Sequence, residues 1–207
     1  MRRRAFIFDV GNVLLRWSPT EILRRALPAE ADAERYSRGI FLHDRWLDLD
    51  RGQVDQAEAA GEFASAVGCS VGEVLRILRA GQEALVPLSP GIELLAELHE
   101  QEQDLICLTN MSRETYAHVR PKYTFWSRFR GIVVSGHVRM AKPDREIFEH
   151  TLHEYALDPA DTVFIDDHRA NIESARSLGI NAVEYDGSQF CLQRIRALAR
   201  HLEGAST

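Results

Sequence analysis

The sequence predicts an α/β fold: a doubly wound, Rossmann-like parallel sheet core with a small helical cap domain inserted after strand 1. Three observations carry the prediction. Five short apolar runs rich in β-branched residues recur along the 207 residues. Helical patterns separate the later runs. A strand-free stretch from about residue 17 to 87 interrupts the rhythm directly after the first run.

The first run is FIFDVGNVLL, residues 6 to 15, apolar up to Asp9 and broken at Gly11. Such a run suits a strand buried on both faces of a parallel sheet. The stretch that follows holds PTEILRRAL, AEADAERYSRGIF, QAEAAGEFASAVG and SVGEVLRILRAGQEALV, all read as helices. Pro87, Pro90 and Gly91 mark the return to alternation. The expected organisation is a core of residues 1–16 and 88–207 with a cap of residues 17–87. A helical insert at this point sits over the carboxyl edge of the sheet, where open α/β sheets bind ligands.

The remaining elements follow in order. SPGIELLAELHEQ (89–101) is a helix with Leu94, Leu95 and Leu98 at helical spacing. DLICLTN (104–110) and RGIVVSG (130–136) are strands. KPDREIFEHTLHEYAL (142–157) is a helix, DTVFIDD (161–167) a strand, and NIESARSLG (171–179) a helix stopped by Gly179. INAVEYD (180–186) is the last strand, and QFCLQRIRALARHLEG (189–204) closes the chain as a helix before a frayed GAST tail. Trp126, Phe125 and Phe129 in YTFWSRF fit a core, a cap–core hinge or an interface.

Composition narrows the class. Apolar residues make 45% and charged residues 27%, ordinary for a globular protein. No run is long and apolar enough for a membrane span, and MRRR leads straight into AFIFDV without a signal-peptide core. Cys69, Cys107 and Cys191 make no metal or disulfide pattern, which points to a cytoplasmic protein. A net charge of -6 and the lack of a basic–aromatic stripe argue against nucleic acid as a partner. A monomer and a homodimer are both compatible with the sequence.

A parallel sheet gathers its strand tips at one edge. Here those tips are Asp9, then Thr109 and Asn110, then Asp166 and Asp167, with Lys142 following the third strand. Three carboxylates in one crevice repel unless cations balance them. Lys142 offsets one charge, and a hard divalent cation, Mg²⁺ above all, offsets two more. Such a site suits a phosphate ester attacked by a carboxylate. Each residue also has a plainer reading: Asp9 as a loop acid, Thr109 as a helix cap, Lys142 as a solvated lysine, and the aspartate pair as caps of the next helix.

Asp9-Val-Gly-Asn-Val, Leu108-Thr109-Asn110, Lys142-Pro143-Asp144 and Ile165-Asp166-Asp167 resemble, in order, the four motifs of the haloacid dehalogenase-like (HAD) hydrolase superfamily. The start of the chain is similar to the bacterial glucose-1-phosphate phosphatase type, and IDDHRAN to the amino-terminal phosphatase domains of soluble epoxide hydrolases. The resemblance implies Asp9 as the nucleophile and a magnesium ligand, with the Gly11 carbonyl and Asp167 completing the metal site. It implies Thr109, Asn110 and Lys142 as holders of the phosphoryl group, with Asp166 behind them. The implied partner is a small phosphorylated metabolite, a sugar phosphate such as a hexose 1-phosphate.

One position departs from the pattern. Most phosphatases of this superfamily carry a second aspartate, the general acid/base, where this chain has Gly11. Such a group contributes about 10²–10⁴-fold in rate. Three expectations follow: a preference for good leaving groups, a substitute from FLHDRWLDLDRGQ (41–53), where His43, Asp44 and Asp48 stand beside Trp46, or accumulation of the aspartyl-phosphate. Two other readings compete. A 2-haloacid dehalogenase shares the nucleophile but needs no metal, and usually has a bulky aromatic in place of Gly11 and threonine in place of Val13. A protein that binds a phosphorylated ligand with little turnover is the other.

Overall fold

The computed structural model describes residues 4–200. Arg2 and Arg3 of the basic triplet and the GAST tail lie outside the described residues. The chain runs β1 (Ala5–Phe8), α1 (Pro19–Ala26), α2 (Ala33–Tyr36), α3 (Arg45–Asp50), α4 (Gln56–Val67), α5 (Val71–Ala84), α6 (Ser89–Glu100) and β2 (Asp104–Thr109). It continues through α7 (Arg113–Val119), β3 (Gly131–Val134), α8 (Ser135–Val138), α9 (Arg145–Glu154), β4 (Thr162–Asp166), α10 (Arg169–Ser177), β5 (Asn181–Glu184) and α11 (Gln189–Arg200). The five strands are parallel, in the order β3-β2-β1-β4-β5, so the expected doubly wound sheet is present.

Alternation along the strands splits the core in two. Phe6, Phe8, Leu105, Cys107, Val163 and Ile165 face a layer built with Leu94, Leu98 and Ile195 of α6 and α11. Ile7, Ile106, Leu108 and Phe164 face the opposite layer, with Ile147 and Phe148 of α9 and Ile172 of α10. Both faces of β1 are therefore apolar, which is why its sequence admits no polar residue before Asp9. Phe125 and Trp126 are buried in the first of these layers, so YTFWSRF belongs to the core.

Two of the boundaries that differ from the sequence reading lie beside the strand tips. The helix expected over 142–157 starts at Arg145, because a residue ahead of proline is pushed out of the helical region, leaving Lys142 in the preceding loop. The end of RGIVVSG is not strand: Ser135 and Gly136 open the short α8.

Residues between Pro19 and Ala84 pack around a cluster of their own, including Ile22, Ile40, Phe63, Val74 and Ile77. The chain leaves and rejoins the sheet at one place. Leu15 bridges antiparallel to Pro87, with the Arg16 N–H donating to Val86 O at 2.9 Å and the Leu88 N–H to Leu14 O at 2.9 Å. Gly91 lets α6 close on this crossing, since a Cβ there would lie 1.9 Å from Val13 O. A second junction follows α3. Gly52 has φ +64°, and a Cβ on it would meet Gly136 O at 2.3 Å. Ser135 Oγ donates to Asp50 O at 2.5 Å, Arg51 pairs with Asp144 at 2.6 Å, and the Gln56 N–H donates to Glu114 Oε1 at 3.2 Å.

Candidate active site

Register assembles the site. Phe8 is level with Cys107 of β2 and Ile165 of β4, so Asp9 stands one step beyond, beside Asp166. The Asp9 N–H continues the ladder to Ile165 O at 2.9 Å. The chain then turns sharply. The N–H groups of Leu14 and Leu15 donate to Val10 O at 2.9 and 2.8 Å, and Asn12 takes φ 51°, a conformation asparagine tolerates. This turn is why the apolar run resumes as Val-Leu-Leu: the three side chains re-enter the core.

Lys142 is the centre of the charge network, 2% exposed. Its Nζ lies 2.8 Å from Asp9 Oδ1 and 2.7 Å from Asp166 Oδ2, and donates to Leu108 O at 3.1 Å. Burial alone would lower the Lys142 pKa, but Asp166 and Asp9 outweigh it and raise it, so the ammonium stays charged. At Asp9 burial wins instead. Its burial pushes the carboxyl up to about 7 against the pull of Lys142. Asp166 is wholly buried and saturated: besides Lys142, it accepts from the His168 N–H at 2.8 Å and from the Asn171 amide at 3.0 Å on each oxygen.

Asp167 faces the cavity instead, its carboxyl raised by burial and its Oδ2 accepting from the Asn12 amide at 3.0 Å. Carboxylate oxygens of Asp9, Asp166 and Asp167 lie within 4.8 Å of one another. Three carboxylates against one ammonium leave an excess of negative charge, and the donors are all hard oxygens, so the set fits a small divalent cation. With Asp166 already engaged, Asp9 and Asp167 are the ones left to hold it, beside Gly11.

A cavity of about 370 Å³ opens above this floor. Asp9, Gly11, Thr109, Asn110, Lys142 and Asp167 all line it, so the residues expected at the nucleophile, phosphoryl and metal positions share one cavity, with Asp166 behind its floor. Their surroundings refine the reading. The Asn110 side chain is engaged twice with the Lys142 backbone, at 2.8 and 2.9 Å, and so fixes the lysine loop. Ser112, not Thr109, caps α7, leaving the Thr109 hydroxyl at the cavity wall.

The substitutes expected from 41–53 do not reach the site. His43 stacks edge-on against Phe63 and accepts from the Arg45 N–H; Asp48 pairs with Arg45 at 2.9 Å; Asp44 is exposed; none lines the cavity. The phase of α3 decides this. Trp46, Leu49 and Asp50, at i, i+3 and i+4, share the face turned to the cavity. Asp50 was missed in the sequence, and no local pattern distinguishes it from Asp48 before the helix phase is known. Its side chain accepts from the Trp46 indole and the Ser112 N–H, and burial pushes its carboxyl up to about 7. Asn12 was missed too, although it stands inside the Asp-x-Gly-Asn-Val run.

A family model described as haloacid dehalogenase-like hydrolase matches residues 3–179. The chain belongs to the haloacid dehalogenase-like hydrolases. It is 27% identical to a sesquiterpene phosphatase of Aspergillus oryzae, covering 94% of this chain and 96% of that one. It is 30% identical to an N-acetylmuramic acid 6-phosphate phosphatase of Pseudomonas aeruginosa, over 89% of this chain and 83% of the relative. It is 29% identical to a drimenol cyclase of Aspergillus calidoustus over 87% of this chain, but spans only 33% of that protein's length. Among solved structures, a HAD family enzyme of Bacteroides thetaiotaomicron in a magnesium complex superposes with TM-score 0.74 at 22% identity, covering 94% and 98% of the two chains. The last likeness shows the shared haloacid dehalogenase-like fold.

Proposed function

We propose that the chain is a Mg²⁺-dependent phosphatase that hydrolyses small phosphate monoesters through an aspartyl-phosphate on Asp9, with residues 17–87 acting as its cap. The Lys142-centred carboxylate cluster at the cavity floor carries this reading. Asp9 presents a carboxylate to phosphorus, Lys142 holds it in place, and Thr109 and Lys142 receive the phosphoryl oxygens. Asp9, Asp167 and the Gly11 carbonyl are the groups for Mg²⁺, which when bound neutralises phosphoryl charge. The names of the two phosphatases among the relatives support the same reaction class.

Metal binding has a signature apart from turnover. Asp9 and Asp50 have folded-state pKa values near 7, well above the usual carboxylate range. Between about pH 4 and 7 the folded protein therefore holds more protons than the unfolded chain, and stability falls as pH rises through that window. A cation competes with the Asp9 proton. Melting temperature without metal should thus fall from pH 5 to pH 8, and the gain from added Mg²⁺ should be larger at pH 8, reaching about 2.7 kcal/mol at a hundred times Kd. A Mg²⁺ shift that is absent at both pH values counts against the metal site.

The sugar-phosphate expectation meets a particular cavity. Trp17, Phe41, Trp46, Leu49, Leu78, Leu85 and Met111 line its walls, while the polar lining contributed by the insert is Asp50, Gln56 and Gln82. A hexose buries several hydroxyls, each needing a partner. An ester with a largely apolar organic group fits this lining better, as the sesquiterpene phosphatase among the relatives supports. The deciding assay is phosphate release from an isoprenoid phosphate, glucose 1-phosphate and glucose 6-phosphate, each with Mg²⁺ and with chelator. The isoprenoid ester should show the highest kcat/KM. A clear preference for either hexose phosphate restores the sugar reading, and no metal-dependent release from any ester removes the phosphatase reading.

A further inference from the structure

We infer that Asp50, carried by the helical insert, is the general acid/base of this enzyme, in place of the aspartate that Gly11 lacks. The inference rests on the phosphatase reading above. Three carboxylates line the cavity: Asp9, Asp167 and Asp50. Asp9 is the nucleophile, and Asp167 belongs with Asn12 and the cation. Asp50 is the carboxyl without a task. The other titratable side chain of the lining beyond Lys142 is His168, which is exposed.

The architecture holds Asp50 in place. Its carboxylate accepts from Trp46 and the Ser112 N–H, and its carbonyl accepts from Ser135 Oγ at 2.5 Å. The same Ser135 Oγ accepts from the Met111 N–H at 2.8 Å, so one buried hydroxyl ties the insert to the loop after β2. Gly52 and the Arg51–Asp144 pair seat the next two residues on the core. Three anchors from the core on one short segment are more than a solvated helix end needs. The burial that lifts the Asp50 carboxyl agrees with a proton carrier. Gly11 leaves its own side open: a Cβ there would have Asp9 Oδ2 at 3.9 Å as its nearest neighbour.

In the first step Asp9 forms a bond to phosphorus, the phosphorus–ester oxygen bond breaks, and Asp50 gives its proton to the departing oxygen. In the second, the Asp50 carboxylate takes a proton from water. The water oxygen bonds to phosphorus, the bond to Asp9 breaks, and inorganic phosphate, the Asp9 carboxylate and protonated Asp50 are restored.

The test is Asp50→Asn, which keeps an oxygen for Trp46 and Ser112, with Asp50→Glu as the conservative variant. p-Nitrophenyl phosphate leaves without a proton, so Asp50→Asn should still form the aspartyl-phosphate. It should give a burst of nearly one nitrophenolate per active site, then a steady rate about 10²–10⁴-fold below wild type. An alkyl phosphate should lose its first turnover as well, and Asp50→Glu should recover part of both phases. Steady rates within a few-fold of wild type, or an equal loss of burst and steady rate on both esters, overturn the assignment. Should Asp50→Asn fail to fold, Asp50→Ser serves, since it removes the carboxyl with a smaller polar side chain. Wild-type protein inactive on both esters overturns the phosphatase reading instead, and the Asp50 assignment with it.

Discussion

Lys142→Met is expected to lower the melting temperature by about 6–20 °C at pH 8 without metal. Removing one partner of a buried ion pair costs about 3–5 kcal/mol, because the other charge is left uncompensated. For a chain of this size each kcal/mol moves Tm by about 2–4 °C. Here the loss strands two carboxylates, Asp9 and Asp166, since Lys142 Nζ contacts both at 2.8 and 2.7 Å. Methionine fills the space of the lysine stem, so packing loss contributes little. The deficit should shrink at pH 5, where Asp9 takes up a proton, and shrink again at pH 8 when Mg²⁺ is added. Calorimetry of both proteins under the three conditions measures it. A Tm within about 2 °C of wild type at pH 8 would mean the buried network contributes little to folding.

Asp9→Asn should separate chemistry from stability. Phosphate release should fall by at least about 10³-fold on every ester, since no other group takes over a lost nucleophile. The metal-free protein should melt no lower than wild type. The substitution removes a buried carboxyl that Asp166 and Asp167 both repel, and leaves Lys142 paired with Asp166. The stabilisation by Mg²⁺ should weaken, because one of its oxygen ligands becomes a neutral amide. Turnover near the wild-type level would remove Asp9 as the nucleophile whatever the melting curves show.

These expectations rest on features of unequal visibility in the sequence. β1, β2 and β4 were legible because strands buried on both faces are dominated by apolar residues, and β5 by the short apolar centre of NAVE between two exposed polar ends. The gathering of Asp9, Thr109 and Asp166 at one edge follows from parallel strands alone. Loops were harder. Lys142 looks like the first residue of a helix until Pro143 is weighed, and nothing local announces that the Asn110 amide is engaged with the Lys142 backbone. Asp50 lay furthest from view. In LDLDRG two acids stand two residues apart, and only the phase of α3 and the docking of Gly52 on Gly136 decide which one enters the cavity.

The paired crossing at Leu15 and Pro87 bears on how such a chain can change over generations. An insertion whose two ends meet asks the sheet to span no gap, and lengthening it costs only about 0.6 kcal/mol of closure entropy per doubling. Helices there can be exchanged, enlarged or trimmed while Asp9, Lys142, Asp166 and Asp167 keep their places. Selection can thus redesign the recognised ester as a module, apart from the reaction. On the assignment proposed above the insert carries Asp50 as well, so an exchange that drops it takes a new ligand preference and loses the proton carrier in one event.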